Sequence, residues 1–284
     1  MKELIFGVMT GTSMDAFDVC ILEMIDGHPH KLMDFSSRPF SPDLKKKFNL
    51  LITEGANELE RSQLLSIEYS KRISQIINQM IKRNKLLPKN ICGVGVHGQT
   101  IRHCPEKNYT IQICNPSIIS QMTELNVVSD FRSRDIAAYG EGAPLAPLFH
   151  LEITRKHTPC AVVNIGGISN LTLVEKNIAG KSKIHRGFDT GPGNCLSDLW
   201  CRKNFNVNFD KYGNFAKSGY INNELLKIFL SDSFFQLSPP KSTGIHYFNE
   251  KWLVKRLASL NKNISARDIQ STIIELTARS ICKH

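Results

Sequence analysis

Near the start of the chain, Phe17, Val19 and Ile21 alternate with Asp18 and Cys20, the two-residue period of a half-buried strand. Runs at 4–10, 16–24 and 31–40 share this character and predict three consecutive antiparallel strands. The period then changes. Ile73, Ile76, Ile77, Met80 and Ile81 recur at three- and four-residue spacing, which predicts an amphipathic helix over 58–84, closed by Pro88. An apolar run at 91–96 reads as a buried strand entering a His97–Gly98–Gln99–Thr100 turn. A strand near 109–114 and a helix over 116–126 follow, and the chain then reaches Asp130. After a stretch rich in charge, Gly and Pro at 132–147, strands at 160–165 and 170–174 flank Gly166 and Gly167. Helices are expected near 194–205, 222–230, 249–260 and 265–281, the last with Ser265 and Asp268 at capping-box spacing. Both halves open with a hairpin around a glycine turn. This predicts an α/β protein of two domains, 1–135 and 136–284.

Composition narrows the class. At 284 residues, with 41% hydrophobic and 22% charged positions, the chain is long enough for a real core and too apolar for disorder. No apolar run approaches the roughly 18–20 residues needed to cross a bilayer, and residues 4–9 are too short for a signal-peptide core. The eight cysteines form no CxxC pair and mostly sit in apolar contexts, so they read as reduced core residues in a cytoplasmic protein. The net charge of +10 is compatible with an anionic partner. Its short clusters, Lys45–Lys47 and Lys82, Arg83, Lys85 and Lys89, lack interleaved aromatics and read as solvated faces rather than a nucleic-acid stripe.

Several stretches carry chemistry. Gly11, Thr12 and Ser13, followed by Asp15, form a turn whose amides and hydroxyls suit phosphate oxygens, with a carboxylate nearby for Mg²⁺; an ordinary hairpin turn uses the same residue types. Gly166 and Gly167 repeat the idea in the second half. Residues 187–194 set Asp189 and Thr190 among three glycines and a proline before a helix begins. A helix N-terminus there attracts anions, and Asp189 is either a general base or a turn stabiliser. His97 reads as a structural histidine. Arg132 and Arg134 either hold a carboxylate or pair with Asp130 and Asp135. Lys241, Ser242 and Thr243 follow two prolines in a polar loop that either approaches phosphate or faces water.

These blocks, taken in order with Gly142–Ala143–Pro144–Leu145 and Pro239–Pro240, resemble the anhydro-N-acetylmuramic acid kinase family along nearly the whole chain. The resemblance implies two RNase-H-like domains around a central cleft, as in the sugar-kinase/actin/Hsp70 group. It also implies a phosphotransferase in murein recycling that uses ATP, Mg²⁺ and water to convert 1,6-anhydro-N-acetylmuramic acid to N-acetylmuramic acid 6-phosphate. On this reading Asp189 is the catalytic base and also contacts substrate. Gly11, Thr12, Ser13, Met14, Asp15, Ala16, Phe17 and Asp18, with Gly166 and Gly167, hold the ATP phosphates. Asp15 is the Mg²⁺ ligand, and Thr100 and Arg132 contact the sugar, Arg132 at its lactyl carboxylate. The implied partners are the amino sugar, ATP and a second copy in a homodimer, with neither nucleic acid nor membrane.

Ala16 stands where the family has Gly, and Tyr139 and Glu141 where it has Gly and Gln. The family continues beyond residue 284 into a glycine-rich adenosine motif. The expectation is therefore an incomplete second domain, and an impaired homologue that binds the sugar without efficient phosphoryl transfer is the alternative. A nuclease using Asp15, Asp130 and Asp189 as metal ligands is a third reading, which leaves the sugar-site blocks unexplained.

Overall fold

The computed structural model describes residues 1–11, 14–177, 180–245, 247–260 and 263–284. The chain is mixed α/β and divides into two compact units, Met1–Leu145 and Ala146–His284.

In the first unit the three expected strands are β1 (Lys2–Met9), β2 (Ala16–Ile25) and β3 (His28–Pro39). They pair antiparallel in sequence order. Helices α1 (Pro42–Ile52) and α2 (Glu58–Arg83) return the chain to β4 (Ile91–Val96), which pairs parallel with β1. A separate hairpin of β5 (Gln99–Cys104) and β6 (Tyr109–Ile113) comes next. Helix α3 (Pro116–Thr123) then leads to β7 (Val127–Ser129), which pairs parallel with β4 and closes a sheet of order β3-β2-β1-β4-β7. The alternation along β2 sends Phe17, Val19 and Ile21 into the core, where the predicted face of α2 (Ile73, Ile76, Ile77, Met80 and Ile81) is buried with them.

The boundary falls ten residues later than expected. Helix α4 (Phe131–Ala137) is followed by a segment that folds back on it instead of starting the second unit. The Asp135 carboxylate accepts the Gly142 amide at 2.7 Å, and Arg132 donates to the Gly142 carbonyl at 2.6 Å. Most of the charge and glycine at 132–147 therefore marks a tied-down loop of the first unit, and the boundary falls near the far end of that stretch.

The second unit opens with α5 (Ala146–Ile153) and a three-stranded antiparallel sheet of β8 (Cys160–Ile165), β9 (Ile168–Lys176) and β10 (Ser182–Pro192). Helix α6 (Cys195–Asn204) follows, then α7 (Asn214–Lys217), α8 (Asn223–Leu230), α9 (Glu250–Ala258) and α10 (Ala266–Cys282). Leu196, Phe229, Phe248, Ile273 and Leu276 build its core. The capping box at α10 is only half formed. Ser265 Oγ accepts the Asp268 amide at 3.1 Å, but the Asp268 carboxylate takes the Tyr220 amide instead of reaching back.

Among the described residues no disulfide forms, and only Cys201 of the eight cysteines is fully buried, so most cysteines are not core residues. No helix among them is long and apolar enough to cross a membrane.

Candidate functional site

The first unit gathers one group of candidate residues where β1 and β4 end. Thr12 and Ser13 lie outside the described residues. Beside them, the Gly11 carbonyl accepts the Met14 amide at 3.0 Å and the Gln99 side chain at 3.3 Å. Met14 and Phe17 are buried in the core, with Phe17 against Phe40 and Tyr69, so only their backbone is left for a ligand. Ala16 begins β2 opposite Pro39, where extended backbone accommodates its methyl group, and Asp18 lies further along the same strand opposite Met9. The exposed Asp15 carboxylate accepts a 3.0 Å bond from Lys45. That pair uses up part of the basic cluster at 45–47, and Lys47 is paired with Asp43 and Glu68.

The 97–100 turn is laced to this loop. His97 N donates to the Val8 carbonyl at 3.1 Å, and Thr10 Oγ1 donates to the Gly98 carbonyl at 3.2 Å. Gly98 has a φ of +80°, and a Cβ there would sit 3.1 Å from the Ile113 carbonyl oxygen, so glycine is required for this close turn. Thr100 is the second residue of β5, opposite Gln112, and accepts a 3.4 Å bond from its side chain. Across the turn, Arg132 donates through Nε to His97 Nε2 at 2.8 Å. Burial and the Arg132 charge push the His97 pKa down to about 4, against a weaker upward pull from the Gly98 carbonyl. His97 is therefore neutral, and it is structural as expected, but it is tied to the arginine singled out for the sugar.

In the second unit Asp189 sits on β10 opposite Asn170, immediately before a β-bulge that leaves Thr190 unpaired and restores register at Gly191. Gly191 has a φ of +149° and presses against the Phe235 ring, which leaves no room for a side chain. The loop after the two prolines supports the carboxylate: Lys241 O accepts the Asp189 amide at 2.9 Å, and Asp189 Oδ2 accepts the Thr243 amide at 2.9 Å and the Ser242 hydroxyl at 3.0 Å. Both side-chain bonds fall on one oxygen, and Oδ1 accepts none among the described residues. Burial pushes the Asp189 carboxyl above its ordinary value, and the bonds from Thr243 and Ser242 pull part of the way back. The Lys241 side chain is buried over the Phe234 ring, so it anchors the loop instead of reaching for phosphate. Residue types alone did not distinguish these two roles.

The Gly166–Gly167 turn joins β8 to β9. Its carbonyls accept the first amides of the α6 region: Asn194 N donates to Gly166 O at 2.8 Å, and Gly193 N and Cys195 N donate to Gly167 O at 3.0 and 3.1 Å. The anion attraction expected of that helix start is thus largely spent on shaping the turn. The Gly167 amide has no hydrogen-bond partner among the described residues. Beside the same helix start lies a cavity of about 490 Å³, lined by Asn194, Ser197, Asp198, Asp210 and Lys217 among others. Its walls come from helices α6, α7 and α10, whose facing is not legible from sequence spacing.

Among the described residues no three His, Cys, Asp or Glu side chains gather where they could hold a metal ion. Arg134 is exposed, and Arg132 makes its contacts with His97 and Gly142 instead of with Asp130 or Asp135.

The family model for anhydro-N-acetylmuramic acid kinase matches residues 3–284. The enzyme of that name from Pseudomonas putida is 40% identical over 279 residues, covering 98% of this chain and 75% of its own length. The one from Hahella chejuensis is 41% identical over 287 residues, covering 99% and 76%. Among solved structures, a Ppx/GppA family member from Aquifex aeolicus aligns over 100% of this chain and 92% of its own at 13% identity, with a TM-score of 0.36.

Proposed function

The chain belongs to the anhydro-N-acetylmuramic acid kinase family, a family of phosphotransferases, and from that premise we propose that Asp189 is the general base of a coupled hydrolysis and phosphorylation. The substrate is 1,6-anhydro-N-acetylmuramic acid. Asp189 takes a proton from water as that water attacks the anomeric carbon; the C1–O6 bond breaks, and the released O6 attacks the γ-phosphorus of ATP, expelling ADP. The observation that carries this reading is the division of labour on the carboxylate. Oδ2 is fixed by Ser242 and Thr243, and Oδ1 is left for the proton. A pKa raised by burial makes it a better base than an exposed carboxylate.

The remaining assignments follow the local chemistry. The turn from Gly11 to Asp18 and the Gly167 amide hold phosphate oxygens, the first through backbone and hydroxyls, since Met14 and Phe17 face the core. Arg132 receives the lactyl carboxylate, and Thr100 contacts the sugar. Asp15 would hold Mg²⁺, which when bound would supply positive charge against the transferring phosphate. The ion commonly keeps several waters and takes one or two protein carboxylates, a pattern that the single exposed Asp15 fits. In the first unit, the sheet order with antiparallel β1 to β3 and parallel β4 and β7 supports the RNase-H-like reading. The same reading makes the protein a cytoplasmic homodimer in murein recycling.

The alternative of an impaired sugar binder is not favoured, given relatives matched along 98% of the chain and a supported catalytic carboxylate. Incubation with Mg-ATP and the anhydro sugar is expected to yield ADP and ring-opened N-acetylmuramic acid 6-phosphate in equal amounts, by mass spectrometry. ADP without phosphosugar, or a phosphosugar that keeps its anhydro bridge, overturns the proposal.

A further inference from the structure

We infer that His97 is a positioning residue for substrate specificity, whose imidazole holds the Arg132 guanidinium so that its unspent N–H groups bind the carboxylate of the sugar. This inference rests on the assignment of Arg132 to that carboxylate.

A guanidinium carries five N–H donors in a fixed planar fork. In Arg132, Nε donates to His97 Nε2 at 2.8 Å and Nη1 donates to the Gly142 carbonyl at 2.6 Å. Both acceptors are neutral, and no ion pair involves Arg132 among the described residues. Burial alone lowers its pKa, with no carboxylate opposing the shift. A half-buried cation compensated only by neutral acceptors favours an anion on its free side, and here that side consists of Nη2 and the second Nη1 hydrogen.

The histidine is built to be an acceptor at Nε2. Its Nδ1 lies 2.7 Å from the Gly98 carbonyl oxygen, which only accepts, so Nδ1 carries the hydrogen and Nε2 presents its lone pair to Arg132. Burial keeps the ring neutral, so no second positive charge competes with the arginine. The ring is also anchored through its backbone. His97 N is bonded to the Val8 carbonyl of β1, and the Gly98 carbonyl takes the Thr10 hydroxyl as well as the imidazole. With Nε2 spent on Arg132 and Nδ1 on Gly98, the imidazole has no free lone pair with which to act as a base, so its effect on the reaction passes through Arg132.

The test compares two sugars: 1,6-anhydro-N-acetylmuramic acid and 1,6-anhydro-N-acetylglucosamine, which has the same ring without the lactyl acid. His97→Leu is expected to lower kcat/KM for the carboxylated sugar by about ten-fold or more, mainly through KM, while the KM for ATP and turnover of the uncharged sugar stay within about two-fold. His97→Gln puts an amide oxygen near the Nε2 position and is expected to recover most of the loss. His97→Asn keeps a donor for Gly98 but cannot reach Arg132, and is expected to behave like His97→Leu; it serves the same comparison if the leucine variant does not fold. Equal losses on both sugars, or an unchanged preference in a folded variant, overturn the inference. Arg132→Leu separates the premise from the inference. If that variant keeps the wild-type preference, the Arg132 assignment fails and the role of His97 fails with it; if only the His97 variants keep the preference, the assignment stands and the inference alone is wrong.

Discussion

A carboxylate becomes a useful base when its surroundings raise its pKa without abandoning its charge, and Asp189 shows both influences. Burial raises it, while two hydrogen bonds to Oδ2 favour the ionised form. Ser242→Ala removes one of the bonds that stabilise the charge, so the pKa should rise further. The base works only when deprotonated, so the acid limb of kcat is expected to move to higher pH in Ser242→Ala, with the plateau less affected. A pH–rate profile checks this, and an unmoved limb would mean that Ser242 does not act on the base. Asp189 stands out in the sequence because a carboxylate among three glycines is unusual. Its partners do not, because Ser242 and Thr243 lie 53 and 54 residues away and only the fold brings them to it. His97 was legible as a structural residue but not as the partner of Arg132, 35 positions further on.

At the scale of elements, the glycine turn of the second sheet is shaped by the helix start that follows β10. Gly193 allows this contact, because a Cβ there would overlap the Gly166 carbonyl oxygen, which is backbone and cannot swing aside. Gly193→Ala is therefore expected to destabilise the protein by about 2 kcal/mol or more and to weaken ATP binding beyond that loss. Thermal unfolding with nucleotide titration tests it, and wild-type values for both would show that the turn tolerates displacement. Strand β1 buries only Phe6 and Val8 and β3 is largely exposed, whereas strand β2 and helix α2 were plain from periodicity because each buries one clean face. Strand β10 was not. Its first half carries Lys183, His185 and Arg186 on an exposed strand, and its buried second half is written in glycines. Strand β5 resembles a turn in sequence because Gln99, a polar side chain, occupies one of its buried positions.

For the molecule as a whole, the ordered set of motif blocks in the sequence carried more than any single block did. Each glycine turn alone has the composition of an ordinary hairpin, whereas the full series predicted the family that the relatives then showed over residues 3–284. Two compact units each bring their own core and their own group of candidate residues: the 97–100 turn with Arg132 in the first, and Asp189 with its supporting loop in the second. The basic surface is partly consumed in ion pairs such as Lys45–Asp15 and Arg83–Asp34, so net charge says less about partners than +10 suggests. The proposed chemistry depends on Asp189 as the base that activates water. Measuring turnover and anhydro-sugar binding side by side in Asp189→Asn tests it most directly. The expected result is a fall in kcat of about 10²–10⁴-fold or more with sugar affinity, by calorimetry, within a few-fold of wild type. Turnover near the wild-type rate would contradict it.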